Sequence, residues 1–151
     1  MIDVRTLEKS VHKNIKFRQA DLMIPQDIGK TDSLSCLHAI EHFGLGRYSD
    51  PIDVNGHNKG ISNLVNLVET SGRMYISFPL GKKDEVHFNA HRVFNVASIF
   101  QHPSIKMNMR LIRFDFVDDN GDLHLSKSIE DVSSNIHYGC GIYTFEKVLA
   151  D

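Results

Sequence analysis

The chain has 151 residues, 41% hydrophobic and 24% charged, with 17 basic against 19 acidic side chains, two cysteines and no tryptophan. That is one domain large enough to bury a core, and its near-balanced charge leaves no field to draw it onto nucleic acid or an anionic membrane. No apolar run reaches the roughly 18–20 residues of a spanning helix, and the amino terminus lacks a signal-peptide core. A cytoplasmic protein without membrane or nucleic-acid partners is expected. Cys36 and Cys140 sit in neither CxxC nor metal-knuckle spacing and read as reduced, semi-buried residues.

Met1-Ile2-Asp3 opens the chain as though already in a strand. Residues 15–21 alternate apolar and polar, which predicts a strand ending at Asp21. Residues 33–40 are mostly apolar and predict a strand covered on both faces and central in its sheet. After a turn-rich loop, Ile61, Leu64, Val65 and Val68 fall at i, i+3, i+4 and i+7, one face of a helix that Ser71-Gly72 would stop. Residues 73–79 predict the next strand, and strand, helix, strand is a crossover that makes the two strands parallel. A second helix is predicted over 95–101, with Asn95 as N-cap and Pro103 just beyond its end. Residues 106–117 alternate as a strand, Asp118-Asp119-Asn120-Gly121 is a turn, and 141–148 predicts a closing strand inserted antiparallel. The class is α/β, a doubly wound, Rossmann-like three-layer sandwich with a mixed sheet, occupying 1–151 as a single domain.

Ligands of open α/β sheets bind beyond the carboxyl ends of the strands. Asp3, Asp21 and Glu41 fall at such ends, where one carboxylate can accept both ribose hydroxyls and another an adenine amine. Each would alternatively serve only as a turn cap. His38 and His42, and His87 and His91, are spaced four apart, as two imidazoles on one helix face would be. The spacing is not HExxH and no third ligand can be nominated, so no metal is assigned. Gly44-Leu45-Gly46 departs from a GxGxxG fingerprint, whose third glycine would fall at Ser49, and no P-loop lysine or GxSxG elbow is present.

The run from Ser35 through His38, Glu41, His42, Gly44, Gly46, Arg47, Tyr48 and Asp50 to Asp53 resembles the signature of DUF268, a family of unknown function read as bacterial, whose members are similar to class I S-adenosylmethionine-dependent methyltransferases. The likeness continues through residues 72–81, 88–94, 117–121 and Tyr138-Gly139-Cys140-Gly141. The resemblance implies that Asp3 holds the cofactor's ribose, that Asp21 with Leu22 reaches the adenine, and that His38 to His42 lie near the transferable methyl. It implies that Phe88 to Arg92 face the substrate. In such enzymes a first strand, a glycine-rich turn and a helix precede the acidic residue matched by Asp3, so the chain is expected to be a truncated form lacking them and to bind the cofactor weakly. The leading expectation is methyl transfer to a small-molecule or saccharide acceptor, with His42, Glu41 or His91 as general base. The alternatives are a non-catalytic remnant that pairs with another copy through exposed strands, and a histidine-based metal hydrolase.

Overall fold

The computed structural model describes residues 1–6, 12–48, 50–132 and 134–149. In chain order the strands are β1 (Ile2–Asp3), β2 (Arg18–Gln19), β3 (Thr31–Leu37), β4 (Val68–Leu80), β5 (Glu85–Val86), β6 (Arg92–Val93), β7 (Met109–Val117), β8 (Leu123–His124) and β9 (Gly139–Lys147). Two α-helices, α1 (Gly56–Leu67) and α2 (Pro103–Asn108), and short 3-10 turns complete the described elements.

The main sheet runs β3-β4-β9-β7-β8. β3 and β4 are parallel, joined by α1 as the crossover spacing predicts, and β9 lies antiparallel between β4 and β7. The fold is therefore α/β with a mixed sheet, as expected. β1 and β2 form a separate parallel pair, and β5 and β6 a separate hairpin.

The core follows from period-two alternation. Met74, Ile76, Phe78 and Leu80 of β4 are each at most 2% exposed, and β9 alternates in the same way, presenting Tyr143 and Phe145. The Tyr143 ring lies 5.1 Å from Phe78 and 4.8 Å from Phe114, distances at which aromatic pairs contribute about 0.5–1.5 kcal/mol each beyond area burial. Ile61, Leu64 and Val65 bury the inner stripe of α1.

Several sequence expectations change. The strand predicted over residues 15–21 is confined to Arg18–Gln19. β3 is not central: it forms one edge of the main sheet, and Asp32, Ser33, Ser35 and Leu37 are exposed, because no described strand pairs with its outer side. Ser71-Gly72 does not stop α1, which ends at Leu67. Val68 already begins β4, and Ser71, at φ +64°, sits where the β3–β4 register slips. The predicted helix over 95–101 is a 3-10 turn over Ser98–Gln101. Pro103 opens α2 instead of following a helix end, since its missing N–H is harmless at a first helical position. That short helix displaces the start of the next strand to Met109.

Candidate active site

A cavity of about 620 Å³ lies between the β1–β2 pair and the outer edge of β3, inside the roughly 300–1,000 Å³ range of small-molecule sites. Asp3, Asp21, Leu22, His38 and His42 all border it, whereas Glu41 and His91 do not.

The carboxylates are already engaged. Asp3 accepts three hydrogen bonds from Arg5, from the backbone N–H at 2.9 Å, from Nε at 3.0 Å and from Nη2 at 2.8 Å. These hold its carboxyl below the usual range. The same guanidinium lies 4.7 Å from the centroid of the Tyr48 ring. Asp21 accepts the Met23 N–H at 2.8 Å in a local turn, and the Leu22 carbonyl accepts from Asn63 of α1 at 2.9 Å. That bond ties the cavity wall to the helix.

Where β3 ends, the chain turns sharply. His38 donates its backbone N–H to Ser77 of β4 at 3.0 Å and adopts φ +48°, a left-handed conformation that costs a non-glycine residue about 1–2 kcal/mol. The turn projects the half-exposed His38 ring toward Glu41, whose side chain is 2% exposed. His38 Nδ1–H donates to Glu41 Oε1 at 3.2 Å, and Oε2 of that carboxylate has no hydrogen-bond partner among the described residues. Burial pushes the Glu41 carboxyl up, opposed by the neighbouring imidazole. An orphaned buried acceptor costs roughly 1–3 kcal/mol.

His42 follows on the Ile40–His42 3-10 turn. Its Nδ1–H donates to the Ala90 carbonyl at 3.2 Å, which leaves Nε2 as the unprotonated nitrogen. Burial lowers its pKa. The His42 ring packs edge-on against Tyr48 at 5.4 Å and His91 at 5.9 Å. His91 stands at the end of the β5–β6 turn with Nε2 3.0 Å from the Tyr138 hydroxyl, and His87 lies 5.6 Å from it. His38 and His42 thus leave a strand end and a 3-10 turn, not one helix face. Among the described residues no three metal-ligating side chains come together.

Arginines lock this end of the sheet: the sequence reading named Arg47 only within the family signature and expected Arg92 to face the substrate, whereas it is buried. Arg47 donates to the carbonyls of Asn89 and Ala90 at 3.0 and 2.9 Å, pinning the β5–β6 turn over His42. Arg92, 6% exposed, donates to the Phe43 carbonyl at 2.5 Å. Asp50 gathers the intervening loop by accepting the N–H groups of Gly44 and Tyr48 at 2.9 and 3.0 Å. Gly44 (φ +73°) is a packing residue: a Cβ there would lie 2.1 Å from the Asp53 carbonyl oxygen. The third position of the tested glycine fingerprint, Ser49, lies outside the described residues.

With this geometry in place, comparison with known proteins assigns the family. A family model described as "Caenorhabditis protein of unknown function, DUF268" matches residues 10–138. The chain belongs to the DUF268 family. Its description names Caenorhabditis, where the resemblance was read as a bacterial family. A search of curated proteins by sequence finds no match. Among solved structures, this DUF268 chain is similar to the N-methyltransferase NodS from Bradyrhizobium japonicum WM9 in complex with S-adenosyl-L-homocysteine, at TM-score 0.53 and 10% identity, over 87% of this chain and 54% of that one. It is equally similar, at TM-score 0.53 and 10% identity, to an S-adenosylmethionine-dependent methyltransferase from Clostridium acetobutylicum ATCC 824, over 89% of this chain and 65% of that one. The DUF268 chain therefore has the fold of these methyltransferases and spans between half and two thirds of their length. None of its helices is long and apolar enough to cross a membrane, among the described residues.

Proposed function

We propose that this DUF268 chain binds S-adenosylmethionine in the cavity beside β3 and serves methyl transfer to a small-molecule or saccharide acceptor. The observation that carries the reading is the convergence of Asp3, Asp21, Leu22, His38 and His42 on one cavity between the separate β1–β2 pair and the end of β3 in a methyltransferase-like fold. The donor set suits the cofactor: Asp3 and Asp21 supply acceptors for ribose hydroxyls and an adenine amine, and Leu22 and Leu34 supply apolar wall. When bound, the cofactor supplies an electrophilic methyl on a sulfonium.

His42 is the proposed general base. Its Nε2, left unprotonated by the bond from Nδ1 to Ala90, lies 3.9 Å from Glu41 Oε1, and burial lowers the ring's pKa. Glu41 is too buried to meet an acceptor and acts through His38. His91 buttresses His42 from the β5–β6 turn. Calorimetric titration with S-adenosyl-L-homocysteine is expected to give saturable heat that Asp21→Ala weakens, and no heat at millimolar ligand overturns the reading.

A second reading, a non-catalytic module that pairs with another copy, is supported by the outer edge of β3, which has no ladder partner among the described residues. Sedimentation showing a monomer at high concentration would remove it.

A further inference from the structure

Three side chains at the mouth of the site line up, and one of them, Cys140, has no part in the methyl transfer proposed above. Cys140 Sγ, near the start of β9, lies 3.2 Å from His38 Nε2, and His38 Nδ1 lies 3.2 Å from Glu41 Oε1. They come from three elements: β9, the residue after β3, and the 3-10 turn at Ile40–His42. A carboxylate accepting Nδ1–H fixes the imidazole tautomer and leaves Nε2 free to take a proton, so the thiol can turn from the Gly141 carbonyl, 3.7 Å away, to donate to that nitrogen at 3.2 Å. That is the arrangement of nucleophile, base and orienting acid found wherever a side chain is activated for covalent chemistry. A second observation is independent of these bonds. Glu41 is 2% exposed, yet its Oε2 lacks any donor, so the buried carboxylate keeps an acceptor that the described residues do not fill.

We infer that Cys140 is a nucleophilic thiol activated by the His38–Glu41 pair, and that this site takes soft, unhindered alkyl-carbon electrophiles. In the step, the Cys140 S–H proton passes to His38 Nε2 as sulfur attacks the carbon. The new S–C bond forms while the bond from carbon to its leaving group breaks, and the leaving group departs with the electron pair. The imidazolium so formed rests against Glu41 and returns its proton to solvent through the exposed part of the His38 ring. The inference holds or fails whether or not the cavity binds a cofactor. Cys36 is an internal control, being 7% exposed inside the core and without an imidazole hydrogen-bond partner among the described residues.

Base assistance is needed here because burial and the Glu41 charge push the Cys140 thiol up to about 11. The titratable groups around His38 are Glu41 and His42 on the following turn, Cys140 from β9, and His91 with nearby Arg47 from the flanking loops.

The test is alkylation of the intact protein by iodoacetamide at pH 7.5, followed by peptide mass spectrometry. Cys140 is expected to be carbamidomethylated well before Cys36. His38→Gly suits the left-handed backbone at that position and should fold. It is expected to slow Cys140 alkylation about tenfold or more, with added imidazole restoring much of the rate, and Glu41→Gln should slow it in the same direction. A Cys140 rate unchanged in His38→Gly, or slowed without imidazole rescue, overturns the inference. So does Cys36 reacting as fast as Cys140 in the unmodified chain.

Discussion

Gly44→Ala tests whether the loop over the site is held by backbone crossing or by its side chains. Gly44 adopts φ +73°, which costs alanine about 1–2 kcal/mol. The added Cβ would stand 2.1 Å from the Asp53 carbonyl oxygen and 3.1 Å from the Gly56 Cα at the start of α1. No side-chain rotation relieves an overlap with backbone, so the strands of the loop must separate. Separation strains two hydrogen bonds of 2.9 Å, from Gly44 N–H to Asp50 and from Asp53 N–H to the Gly44 carbonyl, each worth about 0.5–1.5 kcal/mol. The sum is about 2–5 kcal/mol, or a fall in Tm of roughly 5–15 °C for a domain of this size. Gly121→Ala is the matched control: φ is +86°, nothing lies within 4 Å of its Cβ, and only the conformational cost of about 1–2 kcal/mol applies. Thermal and urea unfolding of both variants should show Gly44→Ala well below Gly121→Ala. Equal shifts would refute the backbone-crossing account.

Burial holds His57 down to about 4 against an ordinary 6.5. Between those values the unfolded chain binds the extra proton, so this group removes stability as pH falls from 6.5 to 4. His57→Gln should therefore flatten the acid limb of the stability curve by about 1–2 kcal/mol, a figure reduced for partial exposure; urea unfolding at pH 7 and 4.5 gives the comparison, and parallel curves would sink it. Tyr143→Phe deletes a hydroxyl that donates to the Val96 carbonyl at 2.8 Å from a fully buried ring. It should cost about 1–2 kcal/mol in urea unfolding, and a neutral substitution would mean that water replaces the bond. Arg5→Ala frees the Asp3 carboxylate, so its pKa should rise toward the ordinary value by NMR titration. If Asp3 serves a ribose, affinity for S-adenosyl-L-homocysteine should improve about two- to fivefold by calorimetry, since an exposed pair of about 0.5–1 kcal/mol no longer has to break; an unchanged or weaker affinity counts against that role.

Local periodicity carried the crossover. The stripe of Ile61, Leu64 and Val65 was visible because α1 buries one face. The position of β3 was not visible, because a short run of apolar residues reports burial without naming the neighbour that supplies it. In this fold its outer side meets a cavity instead of a strand. Ser71-Gly72 and Pro103 misled for a shared reason: glycine and proline mark a change of backbone direction, and a bulge or a helix start satisfies that mark as well as a helix stop. Asp3 and Asp21, placed at strand ends from the sequence, both border the cavity, whereas Glu41, placed likewise, stands on a 3-10 turn and does not. Arg5 over Asp3, Arg47 over the β5–β6 turn, and Cys140 beside His38 were not legible, since each contact joins residues through tertiary structure that spacing does not encode.

Topology accounts for how Cys140 reaches the site. The parallel strands β3 and β4 end on the same edge of the sheet, where His38 and Leu80 stand. A parallel neighbour would also end there, and its first residues would lie at the opposite edge. β9 is antiparallel, so its first residues pair with the last residues of β4 and β7: Gly139 faces Leu80, and Cys140 faces both Pro79 and Val117. The approach to β9 is fixed by the turn after β7, where Asp119 accepts the N–H groups of His137 and Tyr138 at 2.7–3.1 Å. The same turn thus places Tyr138 against His91 and Cys140 against His38. Substituting Asp119 would release that segment and disturb both contacts together, while leaving the cavity walls at Asp3, Asp21 and Leu22 in place.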